Sequence, residues 1–236
     1  IVNQTLKDIE IICIDDGSID TSLGILKEYA NKDDRIKVLK QENAGPGVAR
    51  AKGLSIAQGE YVSFIDSDDF IEENCFKKLL SIAENEDLDM LHFNYVDYPN
   101  DVTPYRRPID TDVMRGTDLW FNPAFIWAHD LVTAWRKLYK RQFLIDNNIQ
   151  FAEHIMFEDN DYAIIAFANA QRVKHIALCA YHYRNNPNSI TRVKYTSEHI
   201  GYWLDLAHRL RVIEETFMKE NKDLRYRALL INFTRY

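Results

Sequence analysis

Apolar and polar positions along the first hundred residues alternate between two periods. The run Ile9-Glu10-Ile11-Ile12-Cys13-Ile14, stopped by Asp15-Asp16-Gly17-Ser18, predicts a buried strand that ends at a turn. Behind a cap at Asp20 or Thr21, the residues Leu23, Leu26, Tyr29 and Ala30 recur at helical spacing. Ile36 to Leu39 predicts a second strand, and the loop Asn43-Ala44-Gly45-Pro46-Gly47 leads into a helix from about Val48 to Ala57. Tyr61 to Ile65 predicts a third strand that stops at Asp66-Ser67-Asp68-Asp69. A helix carrying Phe76, Leu79, Leu80 and Ala83 follows, then a strand around Met90 to Tyr95. Strands alternating with helices of this size predict an α/β fold with a mostly parallel central sheet flanked by helices.

The texture changes after Tyr98. Pro99, Pro104 and Pro108, with Arg106-Arg107, mark an irregular stretch to about Asp112. Beyond it lie a tryptophan-rich segment (Trp120, Trp127, Trp135), a helix from about Asp159 to Ala170, paired short strands at Val173–Ile176 and Cys179–Tyr183, and a long helical pattern from about Ser197. The two halves are expected to share one sheet.

Composition narrows the class. The 236 residues are 46% hydrophobic and 28% charged, as in globular proteins, and the net charge of −7 argues against a general nucleic-acid binder. No run of about 18 apolar residues predicts a membrane-spanning helix. Cys13, Cys75 and Cys179 are odd in number and scattered, which fits neither a disulfide framework nor a Cys-x-x-Cys metal site and points to the reducing cytoplasm.

The candidate chemistry sits at strand ends. Asp15-Asp16 and Asp66-x-Asp68-Asp69 both end expected parallel strands, where open α/β sheets bind ligands. Carboxylates that close repel unless a cation sits among them, and oxygen-only ligands select Mg²⁺ or Mn²⁺ over zinc. Such an ion leaves positions for phosphate oxygens, hence a diphosphate-bearing substrate. Either cluster alone is equally explained by turn formation and helix capping; two at corresponding strand ends favour the cation. The loop at Asn43–Gly47 offers backbone N–H groups to an anion, and Arg50 in the first turn of the next helix suits either a phosphate or a neighbouring carboxylate.

Taken together, Gln4-Thr5, Glu10-Ile11-Ile12 and Asp15-Asp16-Gly17-Ser18, then Asn43-x-Gly45, Ala49-Arg50 and Gly53, then Gly59-Glu60-Tyr61 with Asp66-Ser67-Asp68-Asp69, resemble glycosyltransferase family 2, inverting enzymes of the GT-A fold. Downstream, Trp135-x-Lys137-Leu138-Tyr139, Phe151 with Phe157-Glu158-Asp159, and Tyr181-x-Tyr183-Arg184 with Ser189-Ile190-Thr191 resemble its bacterial capsule and exopolysaccharide branch. The likeness covers residues 4 to about 192. It implies a nucleotide-sugar-binding half over 1–98, an acceptor-binding half over 99–192 and a C-terminal helical segment over 193–236. It implies that Asp16 accepts from the uracil of a UDP-sugar donor, with Asp15 and Arg50 alongside. Asp66 would approach the ribose, and Asp68 would bind a Mn²⁺ or Mg²⁺ ion bridging the diphosphate. Asp159, paired with Glu158, would be the general base that deprotonates the hydroxyl of a glycan or lipid-linked acceptor.

Two features depart from the family pattern. Ala51 stands where an Asn often follows Ala-Arg, and the opening strand and turn that normally line the nucleotide pocket are missing upstream of Ile1. The expectation is therefore a strand before Ile1, with Ile1–Thr5 as the tail of the first helix.

Other residues carry weaker signals. His182 would complete a metal shell or serve as a structural histidine. The three tryptophans would stack on acceptor sugars or fill the core. Arg184 and Arg192 flank a Pro187 loop that would close as a lid or stay solvated. His154 and Glu158 are spaced i, i+4, but a metal role is discounted. Arg209, Arg211, Lys219, Lys222, Arg225 and Arg227 alternate with Leu and Ile as an amphipathic helix, which suits packing or contact with the inner face of a membrane. The competing functions are a sugar-nucleotide pyrophosphorylase, whose Gly-rich first-strand loop is lacking, an Asp-x-Asp phosphatase, and a non-catalytic sugar-nucleotide-binding module.

Overall fold

The computed structural model describes residues 1–99, 109–120, 122, 131–153, 158–186 and 197–220. In chain order these form β1 (Ile11–Asp16), α1 (Ser22–Ala30), β2 (Ile36–Gln41), α2 (Pro46–Ile56), β3 (Tyr61–Val62), β4 (Phe70–Ile71), α3 (Cys75–Asn85), β5 (Met90–Tyr98), α4 (Gly116–Trp120), β6 (Lys137–Lys140), α5 (Arg141–Asp146), α6 (Glu158–Asn169), β7 (Val173–Arg184) and α7 (Ser197–Glu220). No helix among the described residues is long and apolar enough to cross a membrane.

The α/β architecture is present, but the expected single, mostly parallel sheet is not: among the described residues the strands divide between two sheets and three of the five strand pairs are antiparallel. β1 and β2 pair in parallel, Ile11 opposite Ile36 through Asp16 opposite Gln41. The other five strands are ordered β3-β6-β5-β7-β4; β5 and β7 run parallel, and the remaining pairs are antiparallel. Side chains of β5 alternate between two cores, as a strand period of two requires. Met90 packs with Phe64, Tyr139, Tyr162 and Phe167 on the α6 side. Leu91 and Phe93 pack with Leu79 and Tyr181 on the α3 side.

Between the facing edges of β1 and β3 lies a cleft of about 330 Å³, walled by Ile12 and Ile14 on one side and Val62 and Phe64 on the other, with Gly53 and Leu54 of α2 at its base. Glu10 ties the two walls at one end, accepting the backbone N–H groups of Gln58 (2.5 Å) and Gly59 (2.8 Å). Asp66 stands among the residues lining the cleft.

Several local expectations change. The third strand is only Tyr61–Val62, because it pairs with β6 on one side while its other edge faces the cleft. The two short strands after α6 are one twelve-residue strand, β7; its register slips opposite Phe93, Asn94 and Tyr95, so bulges take the place of a turn. Ile1–Thr5 forms a turn closed by Gln4 N–H on Ile1 O (3.0 Å), not a helix tail. Gln4 is then buried against α3. Its Nε2 donates to Glu72 O (2.6 Å) and its Oε1 accepts from Phe76 N–H (3.3 Å), capping a helix whose own N-cap residue, Asn74, makes no side-chain cap.

Candidate active site

The first acidic cluster ends β1. Asp16 accepts from Gln41 Nε2 (2.7 Å) and from the backbone N–H groups of Ala44 (2.9 Å) and Gly45 (2.8 Å). Although burial opposes it, these donors hold its carboxyl below the usual aspartate value. The anion expected at the loop before α2 is therefore present, and it is this carboxylate. Gly17, at φ +75°, makes the turn after Asp16; a Cβ there would lie 2.8 Å from Asn43 N. Asp15 points the other way along the alternating strand, is 3% exposed, and neither of its carboxylate oxygens has a hydrogen-bond partner among the described residues.

The second cluster lies on the loop that carries the chain from β3, at one edge of the five-stranded sheet, to β4 at the other. Tyr181 of β7 fixes this loop, its hydroxyl accepting from Asp66 N–H (3.2 Å) and donating to Asp69 Oδ2 (2.6 Å). Arg184 N–H donates to Asp69 Oδ1 (2.7 Å), and Asn186 Nδ2 to Asp68 Oδ2 (3.3 Å). Burial and the charges of Asp68 and Asp66 nonetheless raise Asp69 to about 6.

Arg50 joins this loop to the start of α6. Its Nη2 donates to Asp66 Oδ1 (2.8 Å) and its Nη1 to Glu158 Oε1 (2.6 Å), with the guanidinium 5.7 Å from the centre of the Phe151 ring. The site thus allots Arg50 to two carboxylates. α2 and α6 meet closely enough to permit this because Gly47 has no side chain; a Cβ would lie 2.8 Å from both Ala152 O and Glu158 Cγ. Next to Glu158, burial and the Glu158 charge raise Asp159 to about 7, against the pull of Arg50 and the buried Lys137. Glu158, Asp159 and Asp161 occupy the first turn of α6, where the helix dipole favours negative charge.

His182 pairs across the sheet with Phe70, and the two rings stack at 4.4 Å. Its Nε2 meets Glu72 Oε1 at 2.6 Å, while Nδ1 is buried without a partner among the described residues. Trp120 (3% exposed) and Trp135 (8% exposed) belong to the two cores rather than to a sugar-binding surface. Trp127, His154, Pro187, Arg192, Lys222, Arg225 and Arg227 lie outside the described residues. In α7, Arg209 is committed to Asp161 (2.6 Å) and Asp205, which docks the helix on α6. Reading the chain alone overlooked Tyr181 and Gln41 as organisers of the two clusters; the recurrent Tyr181-x-Tyr183 spacing on one strand face was the available signal.

The chain is similar in sequence and fold to known proteins. The family described as Glycosyl transferase family 2 matches residues 1–160, and the chain belongs to that family. It is 35% identical over 207 residues to the glycosyltransferase EpsJ of Bacillus subtilis, an overlap covering 83% of this chain and 58% of EpsJ. It is 36% identical over 185 residues to the cholesterol galactosyltransferase of Borreliella burgdorferi, covering 74% and 51% of the two chains. The chain thus spans between half and three-fifths of these curated relatives. The crystal structure of S. aureus TarS 1-349 in complex with UDP-GlcNAc superposes with a TM-score of 0.80 at 23% identity, over 99% of this chain and 66% of that one. The fold is GT-A.

Proposed function

We propose that this chain is the catalytic domain of an inverting glycosyltransferase that moves a hexose from a UDP-sugar to a glycan or lipid-linked acceptor in exopolysaccharide or capsule synthesis. It would work in the cytoplasm, at the inner membrane face where the acceptor is lipid-linked. The observation that carries the reading is the Arg50 bridge, which ties the Asp66–Asp69 loop to the Glu158-Asp159 pair so that one mouth holds both acidic groups. That TarS has been crystallised with UDP-GlcNAc supports the donor class.

Asp159 is the base in this reading. A group with a pKa of about 7 both ionises near neutrality and accepts a proton effectively. It takes the proton from the acceptor hydroxyl while that oxygen bonds to the anomeric carbon. The bond from that carbon to the diphosphate oxygen breaks on the opposite face, which inverts the centre without a covalent intermediate. Asp16, at the end of β1, stands on the nucleotide side, and the neighbouring Asp15 lies buried with neither carboxylate oxygen partnered among the described residues.

The chemistry of the loop fits a Mn²⁺ or Mg²⁺ ion, because its side-chain donors are carboxylate oxygens and Asp68 is exposed. Asp68 would hold the ion. His182, whose Nε2 meets Glu72 Oε1, would be a second ligand through Nδ1. When bound, the ion neutralises the departing diphosphate. Among the described residues no three His, Cys, Asp or Glu side chains converge as a ligand set. Calorimetric titration with UDP is expected to show tighter binding in Mn²⁺ than in EDTA; equal affinity in the two buffers removes the metal-bridged donor.

A further inference from the structure

The order of the strands places one group of aromatic side chains beyond the acidic loop as seen from β1. Phe70 directly follows Asp69, His182 lies opposite Phe70 in the β4–β7 pair, and Tyr98 ends β5 opposite Arg184 of β7. Phe70 stacks on His182 at 4.4 Å and 4°, and Tyr98 meets Phe70 edge-on at 5.1 Å and 82°. The edge-on contact braces the Tyr98 ring, and the residue is 43% exposed. Its backbone is held as well, since Tyr98 O accepts from Asn185 N–H (3.0 Å). Polar groups rim the ring cluster, with Asp68 exposed on the loop and Glu72, whose side chain is 54% exposed, against His182. A half-exposed aromatic ring, held rigid and bordered by hydrogen-bonding groups, is the chemistry that recognises a pyranose, whose axial C–H face is apolar and whose equatorial hydroxyls are polar.

We infer that Tyr98, braced by Phe70 and His182, is the stacking platform for the acceptor sugar. The topology separates it from the donor. The nucleotide-side carboxylates Asp15 and Asp16 stand on β1 across the cleft from β3, whereas Tyr98 and Phe70 stand on β5 and β4, with the Asp66–Asp69 loop crossing between. A sugar on Tyr98 therefore approaches that loop from the side opposite the nucleotide. The inference rests on the glycosyltransferase reading of the site, and Trp120 and Trp135, which are buried, are not the aromatics it uses.

The test uses saturation-transfer NMR with cellobiose, lactose and N,N′-diacetylchitobiose as probes, on the wild type, Tyr98→Phe and Tyr98→Ala, with UDP binding measured in Mn²⁺ on the same samples. At least one disaccharide is expected to receive saturation on its ring C–H protons. Tyr98→Phe should keep its affinity within about twofold, and Tyr98→Ala should weaken it about tenfold, the loss of one aromatic contact. A Tyr98→Ala protein that binds UDP like wild type and the disaccharide equally well overturns the platform, as does a wild type that binds UDP and none of the three sugars. A wild type that fails to bind UDP overturns the donor reading instead, whatever the sugars do.

Discussion

The two sheets are built on different terms. The β1–β2 unit contributes few residues to the interior: α1 buries none of its side chains, and Ile11 and Ile36 are its buried apolar residues. The five-stranded sheet is packed on both faces, by Phe64, Tyr162 and Phe167 on one side and Leu79, Phe93 and Tyr181 on the other. The carboxylates differ in parallel. Glu10, Asp16 and Asp33, in and around the small unit, are held below their ordinary pKa values by N–H, amide and guanidinium donors. Asp69, Asp159 and Asp161, on the large unit, are pushed above theirs, first by burial. Donors win at the lowered acids and burial wins at the raised ones; of the latter, Asp69 and Asp159 lie at the proposed site, whereas Asp161 is paired with Arg209. The small sheet joins the large unit through the polar contacts of Glu10 and through α2, whose Ala51 and Leu54 pack on the large core.

The most severe way to break the comparison is to remove one raised acid. Asp159→Asn is expected to cut transfer about 10²–10⁴-fold, the worth of a general base, with UDP affinity nearly unchanged. Transfer at the wild-type rate moves the base to Glu158 or elsewhere. Rate against pH sharpens the same point. In wild type, transfer should rise with pH through about 7 as Asp159 ionises. Stability has the opposite sign, because a folded pKa above the unfolded value of 3.8 contributes stability below that value and loses it as pH rises through about 7. Asp159→Asn should therefore gain on wild type in thermal melts above pH 7.

Hydrogen exchange compares the two sheets directly. Amides of Ile12 to Ile14 in β1 should exchange about a hundredfold faster than those of Leu91 to Asn94 in β5, because local opening of a thinly packed unit exposes little apolar surface. Equal protection would mean that the rim contacts bind the two sheets into one cooperative unit.

Arg50 is the cation shared across the site. Arg50→Met leaves Glu158 buried and unpaired and is expected to cost about 3 kcal/mol, in the range for breaking a buried ion pair by removing one partner. Because Arg50 lowers Asp159, its loss should also move the acid limb of the transfer profile above about 7. A drop in stability with the limb unmoved would confine Arg50 to a structural role.

What was legible in the sequence was local. A strand that stops at paired aspartates, a glycine loop before a helix, and an acid pair at a helix start each occupy a few consecutive residues, so β1, α2, α6 and both acidic clusters could be placed before any contact was known. What was not legible joins distant segments. Gln41 reaches Asp16 across 25 residues, Tyr181 reaches Asp66 and Asp69 across more than a hundred, and Gly47 is required by a backbone that arrives from residue 152. Trp120 and Trp135 could be either core or sugar-binding for a related reason. Ring size says that a residue buries area, and only the fold says whether a sugar or the core covers it.

Glu10 offers the mildest perturbation and the most specific one for the seam between the sheets. Its Oε1 accepts both Gln58 and Gly59 N–H groups, and its Oε2 meets Lys37 at 3.0 Å. Burial works against its charge, yet these donors hold it below the ordinary 4.5. A lowered folded pKa contributes stability above the unfolded value and loses it as pH falls through the folded one. Glu10→Gln keeps the shape and one acceptor while removing the charge, so it should cost about 1 kcal/mol at neutral pH, the scale of one charge-assisted hydrogen bond. Denaturant melts of the two proteins should converge as pH drops below about 4, and a gap that persists there would assign the seam to packing rather than to this carboxylate.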